Sequence, residues 1–414
     1  MKNEKTIHII GAGVSGLAAA ITLNRAGYKA TVLEASDQVG GRLKTDLIDG
    51  GIYDHGFQVL LESYPAVDEF LSLQQLEVTR FSPGSYIFSN GKKSKLGDAS
   101  RDRSFLMPTV LSGVGSLKDK WKVFSLSRKL KQKSLQDIFA APETTTQKYL
   151  ENYGFSTKII EQFFRPFYAG ILLESELSTS SRMFEFIFKM FAEGAATLPK
   201  GGIQAVAKQM AEGLSADQLQ LKSPVDQVVG HSVTLMDGSK LQSDFTIIAT
   251  TAGNLVPNLP KDDLKWKKTT NVYFETNHDG FGEPIIALIS NKDALANNFH
   301  FVHDVYNGHD KILSVTVVGE QDLSDEELIK QLREEIRTET EIEVGKSLKI
   351  FHVNKALPDL KSVNYSMPET ETQLTENVFL AGDLLSNGSL NAAILNGKAA
   401  AQAVIAKLED RVLI

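Results

Sequence analysis

Glycines at 11, 13 and 16, wedged between a β-branched run and a helix-forming run, constrain this chain more than any other feature of its 414 residues. Thr6-Ile7-His8-Ile9-Ile10 has the composition of a buried parallel strand. Gly11-Ala12-Gly13-Val14-Ser15-Gly16 comes next without a spacer. Leu17 to Ala26 then predicts a helix ending at Gly27, and Lys29 to Leu33 predicts a second strand that closes at Glu34. This order is the βαβ dinucleotide fingerprint. Gly11 permits the tight turn, Gly13 lets a pyrophosphate approach the backbone, and Gly16 lets helix and strand pack closely. Val14 and Ser15 sit where the free N–H groups and positive dipole of the helix start would meet phosphate. Glu34, with Ala35 after it, falls where a carboxylate accepts hydrogen bonds from a ribose diol. The same charge repels a 2′-phosphate, which argues against an NADP-type ligand.

The residues beyond Glu34 narrow the ligand further. In Glu34-Ala35-Ser36-Asp37-Gln38-Val39-Gly40-Gly41-Arg42 a second glycine pair, Gly40 and Gly41, brings more backbone N–H groups to a diphosphate, and Arg42 adds a fixed cation. Near the other end, Val378 to Ala381 reads as a buried strand, Gly382-Asp383 as a sharp turn and Leu390 to Lys407 as an alanine-rich helix.

The string from Gly11 to Arg42 resembles the start of the flavin-containing amine oxidoreductase superfamily, which includes monoamine and polyamine oxidases, protoporphyrinogen oxidase, phytoene-type desaturases and squalene-associated dehydroxylases. Three further places carry the resemblance: Asp54-His55-Gly56-Phe57-Gln58; Ser223-Pro224-Val225 through Val233 to Met236, Asp237-Gly238 and Phe245 to Thr250; and Asn377 to Asp383 with Gly388 to Gly397. The resemblance implies an α/β chain with a discontinuous Rossmann-like FAD-binding domain (1–61, 198–251 and 370–414). It also implies a mixed-sheet and helical substrate domain (62–197, mainly helical, and 252–369). FAD is the implied cofactor, held non-covalently. Gly56, Phe57 and Gln58 would run beside the flavin ring, Val225 would lie against the adenine, and Thr250 would close the middle segment. Asp383 would bond the ribityl chain, and the helix start at Ser389, Leu390 and Ala393 would face the flavin pyrimidine with its positive end. His55 is the one titratable candidate for a chemical role beside the ring.

Bulk properties exclude other classes. Lys+Arg 44 against Asp+Glu 51 gives a net charge of −7 and no global reason to bind nucleic acid. The absence of cysteine removes disulfides, thiolate metal sites, cysteine nucleophiles and a cysteinyl flavin link. The histidines His300, His303, His309 and His352 lack metal-ligand spacing with acidic partners. Lys2 and Lys5 ahead of the apolar stretch Ile7 to Leu23 imitate a signal peptide, but the three glycines inside it fit a strand–turn–helix instead. The chain therefore reads as soluble and cytoplasmic, with membrane association as an added option.

The insertions decide the substrate. The second, from Ala252 to Glu369, has strand-like runs at Asn271 to Glu275, Ile285 to Ser290 and Ile312 to Val318. It also has a capping box at Ser324-Asp325-Glu326-Glu327 opening a helix over Leu328 to Thr338, so a sheet roofing the flavin is expected. In the first, Phe163, Phe164, Phe167, Tyr168, Phe184, Phe186, Phe188 and Phe191 crowd one region, and two readings stand: helix-to-helix core packing, or an apolar tunnel for a lipophilic substrate. Over 117–135, Lys118, Lys120, Lys122, Arg128, Lys129, Lys131 and Lys133 interleave with Trp121, Val123, Phe124, Leu126 and Leu130, which suits either a solvated helix or a peripheral contact with an anionic membrane.

Two departures from the amine oxidases stand out. Gly388-Ser389-Leu390-Asn391 lacks the aromatic cage residue of those enzymes, and the register of Asn271-Val272-Tyr273-Phe274 puts Thr269, not Lys267 or Lys268, where they keep a lysine. Lys355-Ala356-Leu357-Pro358 resembles the desaturase and dehydroxylase branch instead. The leading expectation is an FAD-dependent dehydrogenase or desaturase of a small lipophilic, isoprenoid-like substrate. An oxygen-using amine oxidase, a non-redox isomerase and a flavin-free escort of prenylated proteins are the competing readings. No feature points to a particular electron acceptor or to a second nucleotide site.

Overall fold

The computed structural model describes residues 5–257, 259, 264–306 and 310–411; His309 lies outside them. Two sheets organise the chain. The first is a five-stranded parallel sheet in the order Leu219–Gln220, Thr31–Leu33, Ile7–Ile10, Phe245–Ile248, Val378–Leu380. Its strands come from three separate stretches of sequence. Because parallel neighbours need crossovers, the strands are short and almost wholly apolar, covered by helices. Helix Val14–Arg25 comes after the first strand and packs along the C-terminal helix Leu390–Leu408. Helix Val14–Arg25 starts three residues earlier than the apolar run suggests, because Gly13 in extended backbone serves as its N-cap. The second strand is shorter than its composition suggests, since its ladder begins only at Thr31 opposite His8.

The second sheet has seven strands in the order Val344–Pro358, Trp266–Thr276, Ile312–Val318, Ala296–Phe301, Ile286–Ile289, Gly84–Ser89, Lys92–Gly97. Its last two strands come from the first insertion, which places a β-hairpin between the short helix Pro65–Phe70 and its remaining helices. One face of this sheet is covered by helix Asp325–Thr340, capped by Ser324 and buried through Leu328, Leu332 and Ile336 at four-residue spacing. The opposite face looks toward the parallel sheet. A helical layer includes Leu117–Gln132, Arg165–Leu172 and Ser181–Glu193, the second entered through a π-helical turn at Ile160–Phe164 and packed on strands Ile286–Ile289, Ala296–Phe301 and Ile312–Val318.

The aromatic crowd divides between core and surface of this layer. Phe164, Phe184 and Phe186 are fully buried core residues, whereas Phe163, Phe167, Phe188 and Phe191 line a cavity. The cluster is thus partly core and partly cavity wall. The basic helix also differs from a simple amphipathic ribbon. Leu126 and Leu130 face the interior, and Lys133 pairs with the buried Glu185. The exposed large apolar residues lie earlier, from Leu106 to Phe124.

Candidate functional site

The fingerprint turn is built almost entirely from main chain. Gly11 N–H donates to Leu33 O at 2.8 Å, and Gly40 N–H donates to Ala12 O at 3.0 Å, so the two glycine segments lie edge to edge. Gly41, at φ +60°, comes so near that a Cβ there would stand 3.2 Å from the Gly13 Cα. Any side chain would fill the floor on which a diphosphate must lie. Beneath it, a Cβ on Gly397 would strike the Ser15 carbonyl at 2.0 Å, so only glycine lets the C-terminal helix reach the fingerprint helix. The helix start thus keeps its orphan N–H groups facing the turn.

Glu34 closes the second strand and folds its carboxylate back over this turn. It accepts from Ala12 N–H at 2.7 Å, Ser36 N–H at 2.9 Å and Ser36 O–H at 2.8 Å. A carboxylate offers about four acceptor positions, so one is left for a ribose hydroxyl. Ser223 N–H donates to Glu34 O at 2.8 Å, which brings the strand starting at Val225 alongside, and a Cβ on Gly11 would lie 3.8 Å from the Thr250 Cβ. The hydroxyl of Ser15, buried inside the fingerprint, has no hydrogen-bond partner among the described residues. Buried hydroxyls seldom stay unpaired, and a phosphate oxygen is the partner this position suits. The residues present therefore fit a dinucleotide.

The C-terminal motif meets the same place from 341 residues away in sequence, where the Arg42 guanidinium forms an ion pair with Asp383. Arg42 also donates to Ala356 O at 3.1 Å and lies over the Trp266 ring at 5.4 Å, which ties the cation to the seven-stranded sheet as well. Behind Asp383, Asn396 donates to Gly382 O at 2.7 Å and holds the turn. Ser389 caps the C-terminal helix by accepting from Ala392 N–H, and Leu390 and Ala393 occupy its first turn, with Ala393 buried.

The turn His55–Gln58 bridges the two sheets. Gln58 donates to Arg42 O at 3.2 Å, and the place a Gly56 Cβ would take lies 3.5 Å from Val353 and 3.8 Å from the Thr269 methyl. Thr269 thus faces Gly56 of this turn. Lys267 instead reaches Thr179 Oγ1 at 3.0 Å, its ammonium pKa lowered by burial, and Lys268 pairs with Glu320. His55 is stacked on Phe351 at 4.1 Å and held by Asp46 at 2.9 Å, so its ring is already committed to two protein partners. Phe57 packs on Phe81 and on His300.

Sequence reasoning missed several parts of this framework. Asp54, at the head of the turn, is fully buried, and burial pushes its pKa up to about 6 although Thr45 and Ile203 N–H both donate to it. Through those bonds it clamps the loop at Gly201 and Gly202 against the turn. Gln204 donates to Val39 O at 2.8 Å and braces the second glycine pair, a role for which the adjacent Gly201-Gly202 pair was the available signal. Tyr365 is held beside the C-terminal helix start by Asn387 and packs on Phe139 at 5.6 Å, so an aromatic ring stands near the motif that lacks its own. Among the described residues no cluster of His, Asp or Glu is arranged to hold a metal ion.

Next to the turn lies a cavity of about 520 Å³, within the usual range for small-molecule sites. Phe81 belongs both to its wall and to the packing on Phe57, so the cavity adjoins the His55–Gln58 turn. Phe163, Phe167, Phe188 and Phe191 form much of the remaining wall, and Leu106 and Phe124 stand at its exposed mouth.

Comparison with known proteins gives a consistent result. The family model "Flavin containing amine oxidoreductase" matches residues 14–405. Protoporphyrinogen oxidase 2, chloroplastic/mitochondrial, of Arabidopsis thaliana is 30% identical over 175 residues, 40% of this chain and 32% of that protein. L-amino-acid oxidase BmooLAAO-I of Bothrops moojeni is 26% identical over 267 residues, 60% of this chain and 53% of that one. The aligned region thus spans about a third to a half of these curated relatives. Among solved structures, a double mutant of putrescine oxidase superposes with a TM-score of 0.70 at 18% identity, covering 97% of this chain and 99% of the other. At that identity the likeness concerns the fold.

Proposed function

The chain belongs to the flavin-containing amine oxidoreductase family, and from that premise we propose that it is an FAD-dependent oxidoreductase acting on a lipophilic substrate. The carrying observation is the phenylalanine-walled cavity beside the His55–Gln58 turn. Bound FAD supplies the hydride acceptor for such chemistry. The chain's own residues supply binding, orientation and exclusion of water. Glu34, Ser15 and the paired glycine segments hold the nucleotide half. Arg42 and Asp383 meet where the ribityl and phosphate portions belong. Asp54 and Gln58 fix the turn against which the reacting partner packs, with Tyr273 O–H donating to Asp54 O at 2.9 Å to lock it under the sheet. An apolar wall keeps water from the oxidised carbon.

Amine oxidation is the weaker reading. Thr269, not a lysine, faces Gly56, and among the described residues Asp98 is the single acidic side chain lining the cavity, against the two cations Arg101 and Lys120. Anaerobic mixing of the FAD-loaded protein with isoprenoid hydrocarbons and alcohols, and separately with primary amines, separates the two. Bleaching of the oxidised flavin bands by the isoprenoids is expected. Bleaching by amines alone would overturn the reading.

A lipophilic substrate of this kind would enter from a bilayer. Leu111 is 74% exposed and Trp121 68%, in company with Leu106, Met107, Val110 and Leu117, and Leu106 also lines the cavity. Arg103, Lys118, Arg128 and Lys129 are exposed around it. Apolar groups ringed by cations suit shallow insertion into an anionic bilayer surface, and among the described residues no helix is long and apolar enough to cross a membrane. Sedimentation with phosphatidylserine vesicles should carry the protein down. Failure to bind them would remove the membrane contact and leave the cavity reading in place.

A further inference from the structure

Side chains alternate across a strand, and the seven-stranded sheet uses that alternation to present two unlike faces. Toward helix Asp325–Thr340 it turns Val272, Phe274, Phe299, Phe301, Leu313 and Val315. The alternate residues of the same three strands, facing the flavin turn, are Asn271, Tyr273, Asn298, His300, Ser314 and Thr316, and all six are buried. Burying polar groups is costly unless they are paired. Five of these six are paired. Asn271 donates to Ser314 at 3.1 Å, Thr316 to Asn271 at 3.0 Å, Asn298 to Thr316 at 3.4 Å, and Tyr273 to Asp54 O at 2.9 Å.

His300 is the exception. It is 4% exposed, and among the described residues neither ring nitrogen makes a hydrogen bond. Its neighbours place it at the junction of the two parts of the site: its centroid is 4.5 Å from that of Phe57, in the flavin turn, and 6.1 Å from that of Phe81, in the cavity wall. Burial pushes its pKa down to about 3, so the ring stays neutral, with one N–H to donate and one lone pair to accept. A neutral imidazole gives an ammonium ion no counter-charge. It gives an oxygen a good partner.

We propose that His300 is a specificity-determining substrate contact, whose imidazole hydrogen-bonds a neutral oxygen function, hydroxyl or carbonyl, on an otherwise lipophilic substrate lying between Phe57 and the cavity. The assignment rests on the lipophilic-substrate reading and narrows it to oxygenated lipids, since a pure hydrocarbon leaves the ring unpaired.

The test titrates the FAD-loaded protein with farnesol and, separately, with farnesene, which shares the skeleton without the hydroxyl. Binding is tracked through the perturbation of flavin absorption and by equilibrium dialysis. Wild type should bind farnesol about ten-fold more tightly, the scale set by one buried group left unpaired. His300→Phe should abolish the preference while keeping farnesene affinity and the ligand-free flavin spectrum. His300→Met gives the same readout if the Phe variant does not fold. Three results overturn the assignment alone: a preference that survives both substitutions, equal binding of the two lipids by wild type, or a shifted ligand-free spectrum in the variants, which would pair the imidazole with the flavin instead. Equal binding leaves the lipophilic reading standing. Uptake of neither lipid removes that reading and this assignment with it.

Discussion

At the edge of the parallel sheet a ligand meets main chain, whereas at the face of the seven-stranded sheet it meets side chains. The first site is a floor of glycine backbone between Gly11 and Gly41, edged by Glu34 and by the Arg42–Asp383 ion pair. The second is a buried stripe of asparagine, serine, threonine and histidine above a wall of phenylalanine. A backbone site recognises what is common to every dinucleotide, and its geometry leaves little room for change. A side-chain site can be rewritten residue by residue without moving the sheet that carries it. The difference explains how one scaffold keeps its cofactor while its substrate varies.

The largest effect is expected at the point where two helices touch. Gly397→Val would drive a branched side chain into the Ser15 carbonyl, and the loss should be at least about 3 kcal/mol in denaturant unfolding, with flavin retention gone. A variant of unchanged stability would show that the backbone floor tolerates side chains after all. Next comes Glu34→Gln, which removes the charge from the acceptor of Ala12 N–H. We expect roughly 1.5–3 kcal/mol of flavin affinity to disappear, read by fluorescence titration of the deflavinated protein, with lipid uptake by the cavity retained.

Asp54 sharpens the comparison through pH, because it joins the two halves. Its folded pKa of about 6 lies above the ordinary aspartate value of 3.8, so the folded state binds the extra proton. Stability should therefore fall as pH rises from about 4 through 6, by roughly 2–3 kcal/mol in total. In Asp54→Asn that slope should vanish, and a slope unchanged in the variant would assign it to another group. The smallest effect on folding is expected at the rim. The pair Leu111→Ser and Trp121→Ser should change stability by no more than about 0.5 kcal/mol while abolishing vesicle sedimentation. Undiminished sedimentation would place the contact elsewhere on the surface.

Much of the backbone half was legible in the sequence because its physics is written as spacing. Gly11, Gly13, Gly16, Glu34, Gly40, Gly41, Arg42 and Asp383 come together in the fold, since each serves a local turn that its own neighbours specify. The capping box at Ser324 and the strand Ile312–Val318 were equally local, and both stand as read. The side-chain half was not legible in the same way. Whether a phenylalanine is core or cavity wall depends on which helix faces it, and Phe163 and Phe164 fall on opposite sides of that line although they are adjacent. The basic helix divides in the same way: Leu126 and Leu130 face the protein interior, whereas Leu117, Trp121 and Phe124 are exposed. His300 carries no local signal at all. Its character comes from Ser314, Phe57 and Phe81, residues that only the sheet register and the flavin turn bring to it.

An oxidoreductase built around FAD shows itself in the visible absorption spectrum of the purified protein, together with the identity of whatever denaturation releases. Flavin bands and the release of intact FAD are the predicted result. A colourless protein that also fails to take up added FAD would contradict the claim and leave a flavin-free binding protein on the same scaffold.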